Sequence, residues 1–298
     1  MSRVKRVLVS VVALGVAVAV ASGCTVPRPE GDGVVRYRDE ITTKVKVTKD
    51  LTYSQSQDGV ANPLRLDLYE PQGDTVAKRP ALVWVHGGGF TSGDKSGGGL
   101  ATKFARLGYV AVSIDYRLLR TSDQGCAASG ATPECVAAVL AAQHDAQAAV
   151  RWLRANAATY RIDPNRIAVS GGSAGGATAL MVATHSEDPG DSGNPGQSSK
   201  VQGAVVVNGA ITPEIVGEYF NSGDPPTIFF HGTADAVVPY QWAVSDTQAM
   251  LDRGIAANLV TFDGLGHGLL QQPVARPAIE EQSDYWLYYA LDLKNAER

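Results

Sequence analysis

Apolar and polar residues alternate along Val45–Tyr53 and Leu64–Tyr69, the pattern of strands with one face in a core and the other in water. Six later segments, Leu82–Val85, Val110–Ile114, Ile167–Val169, Val201–Val207, Thr227–Phe230 and Asn258–Phe262, are more continuously apolar. Strands buried on both faces read this way, so these segments predict the parallel centre of a sheet flanked by the two antiparallel ones. Leu100–Leu107, Val136–Ala157, Ala174–His185, Tyr240–Arg253 and Ala278–Lys294 predict helices covering both sheet faces. Asp163-Pro164-Asn165 predicts a turn ahead of the strand Ile167–Val169. The expected fold is therefore α/β, a mostly parallel eight-stranded sheet with its loops gathered at the C-terminal edge of the parallel part. No internal repeat is apparent, and residues 41–298 are expected to form one domain, since about 250 residues make one continuous core and leave no room for a second full domain.

Candidate chemistry sits where apolar runs end in glycine. Ser170-Gly171-Gly172-Ser173-Ala174-Gly175-Gly176 follows a strand and opens onto a helix, a setting that strains the serine and exposes its hydroxyl at the helix N-terminus. Ser173 is thus a candidate nucleophile. Val83-Trp84-Val85-His86-Gly87-Gly88-Gly89-Phe90 is a second strand entering a glycine cluster. Backbone N–H groups of Gly88 or Gly89 and of Ala174 can converge on the oxyanion of a tetrahedral intermediate. Neither cluster carries the Gly-Lys-Ser/Thr ending or the regular glycine series of a phosphate loop.

Chain order selects the partners, because hydrolases of this architecture deliver nucleophile, acid and histidine in that sequence from successive strands. His86 and His144 lie upstream of Ser173, and His86 at a strand end suits a structural hydrogen bond. His185 falls near the far end of the helix that the serine begins, and His231 suits packing beside the turn that places an acid. His267, in the loop after Asn258–Phe262, is the expected general base. Asp235 lies just beyond the strand Thr227–Phe230 and is the expected acid that fixes the imidazole tautomer. Asp263 belongs to the turn leaving the last strand, and Asp224 falls at the wrong end of the sheet.

His86-Gly87-Gly88-Gly89-Phe90, Asp115-Tyr116-Arg117-Leu118, Gly171-Gly172-Ser173-Ala174-Gly175-Gly176, His231-Gly232-Thr233-Ala234-Asp235 and Gly266-His267-Gly268, in that order, make residues 45–294 resemble the carboxylesterase group of the α/β-hydrolases. That group includes hormone-sensitive-lipase-like esterases and bacterial acyl esterases. The resemblance implies a Ser173–Asp235–His267 triad, oxyanion donors at Gly88, Gly89 and Ala174, and ester hydrolysis through an acyl-serine with neither metal nor organic cofactor. Gly172 departs from the aspartate that many hormone-sensitive-lipase-like members carry there, which moves the chain toward feruloyl- and acetyl-esterase-like neighbours. A serine peptidase of the prolyl-oligopeptidase branch is the alternative, although the chain has no room for that branch's gating domain.

The N-terminus adds a location. Arg3, Lys5 and Arg6 precede a charge-free stretch from Val7 to Gly23, the form of a signal peptide. Ala21-Ser22-Gly23-Cys24 resembles a bacterial lipobox, implying lipidation of Cys24 after loss of residues 1–23 and a tether over residues 24–40. Loss of three basic groups and no acidic one takes the net charge from −4 to −7, which leaves no basic footprint for nucleic acid. The two remaining cysteines, Cys126 and Cys135, flank a Gly/Ala/Ser/Thr-rich insert and are expected to pair in an oxidising compartment. The expected setting is the bacterial cell envelope, outside the cytoplasm.

The intervals between motifs bound the substrate. Sixty-one residues separate Ser173 from Asp235, and a helix and a strand consume much of that length. No large lid is expected. An open site for small or medium acyl esters follows, with saccharide-linked esters an association of the family.

Overall fold

The computed structural model describes residues 33–55, 63–119, 132–186, 188, 190–211 and 219–296. Eight strands form one sheet: β1 Val45–Ser54, β2 Leu64–Pro71, β3 Arg79–Val85, β4 Val110–Ile114, β5 Ile162–Gly172, β6 Gly203–Val207, β7 Thr227–Gly232 and β8 Ala257–Phe262. Their order is β1-β2-β4-β3-β5-β6-β7-β8. β1 pairs antiparallel with β2 and β2 with β4, and every other neighbouring pair is parallel. This is the mostly parallel eight-stranded sheet expected from the hydrophobic pattern, in the α/β-hydrolase arrangement that the motif resemblance implies. β1, at the edge, has half its residues exposed, whereas β3, β4, β6 and β7 are buried along their whole length. Continuous apolarity at the centre is the sequence image of burial on both faces, but two readings differ: β2 alternates in sequence yet is buried at six of its eight residues, and β8, read as a central strand, closes the far edge of the sheet with no residue fully buried.

Helices cover both faces. We number them α1 Ala101–Leu107, α2 Pro133–Ala155, α3 Ala174–Thr184, α4 Tyr240–Asp252 and α5 Arg276–Ala290. One core layer joins Val83, Val112, Val169 and Val206 of the strands to Val139 and Val150 of α2, Leu180 of α3 and Met250 of α4. The other joins Leu82, Ala168, Val205 and Phe230 to Phe104 of α1 and to Ile279 and Leu287 of α5. Each parallel strand therefore sends alternate side chains into opposite layers. α2 begins at Thr132, whose hydroxyl accepts from the Cys135 amide at 3.2 Å, with Pro133 in the first turn where its missing N–H costs nothing.

The start of β5 also differs from expectation. Asp163-Pro164-Asn165 interrupts β5 rather than preceding it: Ile162 pairs with Arg79, and the register then jumps so that Ala81 pairs with Ile167. The turn chemistry itself is present, since the Asp163 carboxylate accepts from the Asn165 amide at 3.0 Å. Residues 1–32 and 120–131 lie outside the described residues, and with them the signal segment, Cys24 and Cys126. Cys135 is disulfide-bonded.

Burial raises the proton affinity of several carboxyl groups, Asp145 among them, and most of all that of Asp246 and Asp284. Asp246 on α4 accepts from the Ile211 amide at 3.0 Å and the Tyr219 hydroxyl at 2.6 Å, yet burial pushes it up to about 7. Asp284 on α5 faces Lys103 at 3.1 Å, and burial pushes it up to about 8. The folded chain therefore keeps protons that an unfolded chain releases near pH 3.8. Stability from this source is present below about pH 4 and is lost as the pH rises toward 8. Melting temperature is expected to fall between pH 5 and pH 8, and Asp246→Asn combined with Asp284→Asn to flatten that fall; an unchanged slope in the double variant counts against the assignment.

Candidate active site

The C-terminal ends of β3, β5, β6, β7 and β8 converge on one edge of the sheet. At the end of β5 the chain turns into α3 through Ser173, whose backbone lies at φ 57 and ψ −123. Such a conformation in a residue with a Cβ costs on the order of 1–3 kcal/mol, so the surroundings must hold it. They do so partly through the Ser173 amide, which donates to the Val207 carbonyl at 2.8 Å. Glycine supplies the rest: a Cβ on Gly171 would stand 2.1 Å from the Gly175 carbonyl oxygen, and one on Gly175 would stand 2.1 Å from that of Val85. The motif spacing thus reflects backbone packed on backbone.

Ser173, His267 and Asp235, placed together by chain order, are hydrogen-bonded in series. His267 Nε2 lies 2.8 Å from Ser173 Oγ, and His267 Nδ1 lies 2.8 Å from Asp235 Oδ2. A carboxylate can only accept, so Nδ1 carries the proton and Nε2 is left to receive that of the serine. Asp235 Oδ1 accepts from the Val237 and Val238 amides at 2.9 and 3.0 Å. Burial alone would raise this carboxyl, but bonds from His231, His267 and the two amides outweigh it and hold it well below the usual range. These bonds favour the ionised form, which is the one that can accept from His267.

The glycine loop after β3 abuts the same turn. A Cβ on Gly87 would stand 2.8 Å from the Gly172 oxygen and 3.2 Å from Ser173 Cβ. The Gly87 carbonyl is 2.7 Å from His86 Nδ1, and the Gly88 carbonyl accepts from the Thr91 and Ser92 amides at 3.1 and 3.2 Å. In a trans peptide the N–H points opposite the carbonyl, so these bonds turn the Gly88 and Gly89 amides away from His86 and Ser92. Ala174 opens α3, and its amide has no acceptor within the helix. The three expected oxyanion donors thus lie on two backbones in contact, at the positive end of a helix.

The remaining histidines have structural partners. His86 stacks on Tyr116 at 4.3 Å between ring centres, and the Tyr116 hydroxyl donates to the His86 carbonyl at 3.1 Å. Burial pushes the His86 imidazole below its ordinary value, which suits a neutral ring bonded to Gly87. Arg117, next in the chain, is buried and bonds Asp145 of α2 at 3.0 Å and Asp191 at 2.7 Å, fixing the strand end to the helix layer. His231 Nε2 lies 2.9 Å from the Val238 carbonyl and 3.2 Å from Asp235 Oδ2, beside the acid turn as expected. The Asp263 carboxylate accepts from the Thr233 hydroxyl at 3.1 Å, and Asp224 accepts from the Asn221 amide at 2.8 Å. Among the described residues no group of three or more His, Cys, Asp or Glu could hold a metal ion, and no helix is long and apolar enough to cross a membrane.

Asn208 escaped the sequence reading. It ends β6 in the left-handed region at φ 48, and its carboxamide donates to Asp235 Oδ2 at 3.0 Å while accepting from the Leu269 amide at 2.9 Å. One buried side chain therefore ties the acid to the loop that carries His267. The available signal was Val207-Asn208-Gly209, an asparagine at a strand end where left-handed backbone is tolerated. Asn208→Gly keeps that backbone and removes only the carboxamide. It is expected to lower kcat roughly tenfold and stability by about 1.5–3 kcal/mol, the range for a hydrogen bond to a charged group. Equal loss of kcat in Asn208→Gln, which retains a carboxamide, would point to packing instead.

A family model described as BD-FAE matches residues 66–211, and one for TAP-like proteins matches residues 210–288. The chain is 28% identical over 169 residues to a probable carboxylic ester hydrolase, LipM, of Mycobacterium tuberculosis, covering 54% of this chain and 35% of that protein. It is 34% identical over 136 residues to esterase LipI of the same organism, covering 45% of this chain and 38% of that one. The match thus spans little more than a third of those relatives. Among solved structures, Thermogutta terrifontis Est2 bound to propionate superposes with a TM-score of 0.67 at 26% identity, covering 86% of this chain and 97% of that one. The same esterase phosphorylated by paraoxon superposes with a TM-score of 0.65 at 28% identity, with the same coverage.

Proposed function

Because the chain belongs to the carboxylesterase group of the α/β-hydrolases, we propose that it hydrolyses carboxylic esters of small or medium acyl groups through an acyl-serine intermediate. The observation that carries this reading is the series Asp235–His267–Ser173, with both bonds 2.8 Å, set beside the triple-glycine loop. His267 Nε2 takes the proton of Ser173 as Oγ attacks the ester carbonyl. The negative charge moves to the carbonyl oxygen, where the Gly88, Gly89 and Ala174 amides stabilise it. As the tetrahedral adduct collapses, the carbon–alkoxide bond breaks and His267 gives its proton to the departing alcohol. Water, losing a proton to the same nitrogen, then adds to the acyl carbon; the carbon–Ser173 bond breaks, and the serine recovers the proton as the acid leaves. The small-acyl preference draws support from the propionate and butyrate complexes of the Thermogutta esterase. It also fits the interval between Ser173 and Asp235, where α3 is the sole helix among the described residues.

A form lacking residues 1–23, with Cys24 replaced, should cleave activated short-acyl esters and form one adduct at Ser173 with a serine-directed organophosphonate. Labelling elsewhere, or inertness in both assays, overturns the assignment. Faster turnover of aminoacyl or prolyl anilides than of esters would make the protein a peptidase.

The cell-envelope reading is a proposal on the same footing. Residues 1–23 form a lipoprotein signal, Cys24 the lipid-modified terminus and Cys126 the disulfide partner of Cys135; the tether expected over residues 24–40 must end before Tyr37, which is buried against Tyr109 and donates its amide to the Leu107 carbonyl at 2.9 Å. Intact mass measurement should show the lost segment, an added acyl mass and two hydrogens regained on reduction. An unmodified full-length N-terminus contradicts the anchor, and two alkylatable thiols in freshly extracted protein contradict the bridge.

A further inference from the structure

The glycines of the Ser173 turn differ in why they are glycine. Gly171 and Gly175 have backbone oxygens 2.1 Å from where a Cβ would lie, and Gly176 has one at 3.0 Å. The nearest atoms to a Cβ on Gly172 would be Trp84 Cη2 at 3.6 Å and Leu270 Cδ1 and Trp84 Cζ2 at 3.9 Å, which are ordinary contacts. Nor does Gly172 adopt the left-handed backbone that would demand glycine. Its missing side chain leaves a notch with room for at least a Cβ immediately before Ser173, between the edge of an indole and a leucine methyl.

The notch has a defined side. Along β5, Gly171 faces α3 and Gly172 faces the opposite layer, where Trp84 packs among Leu82, Leu100 and Phe104. The oxyanion loop occupies another flank of the turn, with Gly87 against the Gly172 carbonyl. Leu270 comes three residues after His267, so one wall of the notch is carried by the segment that delivers the general base. His267 must protonate the departing alkoxide, which therefore leaves toward that segment. Trp84 is nearly enclosed at 5% exposure, while Gly172 and Leu270 are half-buried, so the walls are fixed and the mouth is open.

We propose that Trp84, Gly172 and Leu270 form the seat for the alcohol portion of the ester and select flat, apolar alcohols, phenols above all. The inference rests on the esterase reading of Ser173. An indole edge and a methyl group offer a planar ring dispersion contact and offer a charged or heavily hydroxylated alcohol no replacement for its water. The acyl group, bonded to the other side of the carbonyl carbon, does not enter this notch. Gly172 and Leu270 are specificity-determining residues that act on one half of the substrate.

The test compares two ester series in wild type, Gly172→Val and Leu270→Phe, which fill the notch from separate walls. One series holds acetate and varies the alcohol through ethyl, phenyl and 2-naphthyl; the other holds phenol and varies the acyl group through acetyl, butyryl and hexanoyl. Intrinsic leaving-group reactivity cancels when each variant's ratios are divided by those of wild type. The 2-naphthyl to ethyl ratio of kcat/KM is expected to fall roughly tenfold or more in both variants, while hexanoyl to acetyl ratios stay within about twofold. A uniform loss across both series, or a change confined to the acyl series, overturns the proposal. Should Gly172→Val fail to fold, Gly172→Ala, whose Cβ has only ordinary contacts, gives the same reading on a smaller scale. Organophosphonate labelling of wild type separates the two levels: an unlabelled Ser173 defeats the esterase reading, whereas a labelled Ser173 with unmoved alcohol ratios defeats this inference alone.

Discussion

Ser173→Ala is expected to lower kcat/KM for an activated short-acyl ester by about 10⁴ to 10⁶, and adding His267→Ala to it is expected to cost almost nothing more. The reason lies in the bond of 2.8 Å between His267 Nε2 and Ser173 Oγ. The histidine acts on the ester by moving the serine's proton, so with the hydroxyl gone there is nothing for it to move. What survives is turnover assisted by the oxyanion amides, which neither substitution touches. Each single variant and the double variant should therefore meet at one low floor. Losses that multiply would show that His267 works through some route other than Ser173. Folding is read separately by thermal melts, and there Ser173→Gly is expected to exceed Ser173→Ala, because glycine adopts φ near 57 without the Cβ penalty that alanine retains.

The reacting residues were legible for a physical reason: each stands just past a strand that reads as an apolar run, and an apolar run that stops abruptly is easy to see. Gly171, Gly175 and Gly87 were legible because close backbone approach leaves no room for any other residue. Asn208 was not, although it too ends a strand. Its role depends on β6 lying beside β7 and on the return of the β8 loop over both, contacts between residues 27 and 61 positions apart. Nothing in the local pattern around Asn208 encodes them. The same holds for Ile162, whose pairing with Arg79 carries β5 past a turn that reads locally as its beginning. Asp246 and Asp284 look like ordinary exposed helix acids in the sequence, and only the packing of α4 and α5 shows that they are enclosed.

The spacing of donors around Asp235 makes Asp235→Asn a more severe change than its size suggests. Oδ2 faces three donors, His267 Nδ1 at 2.8 Å, Asn208 Nδ2 at 3.0 Å and His231 Nε2 at 3.2 Å. Oδ1 faces two, the amides of Val237 and Val238. A carboxylate satisfies both groups, but an amide has one oxygen and one NH₂ and opposes donor to donor whichever way it turns. With the oxygen toward the valine amides, NH₂ confronts His267 Nδ1 and favours the tautomer whose proton sits on Nε2, where it cannot accept from Ser173. With the amide reversed, NH₂ is pressed against two fixed backbone N–H groups and the acid turn must shift. Either outcome is expected to lower kcat by about 10⁴, with KM changed far less, since the substrate does not touch Asp235. The rate of organophosphonate labelling at Ser173 should drop in parallel, because it reads the nucleophilicity of the serine without requiring deacylation. Near-normal labelling together with slow ester turnover would place the effect of Asp235 in the second half of the reaction, and wild-type values for both would remove Asp235 from the mechanism.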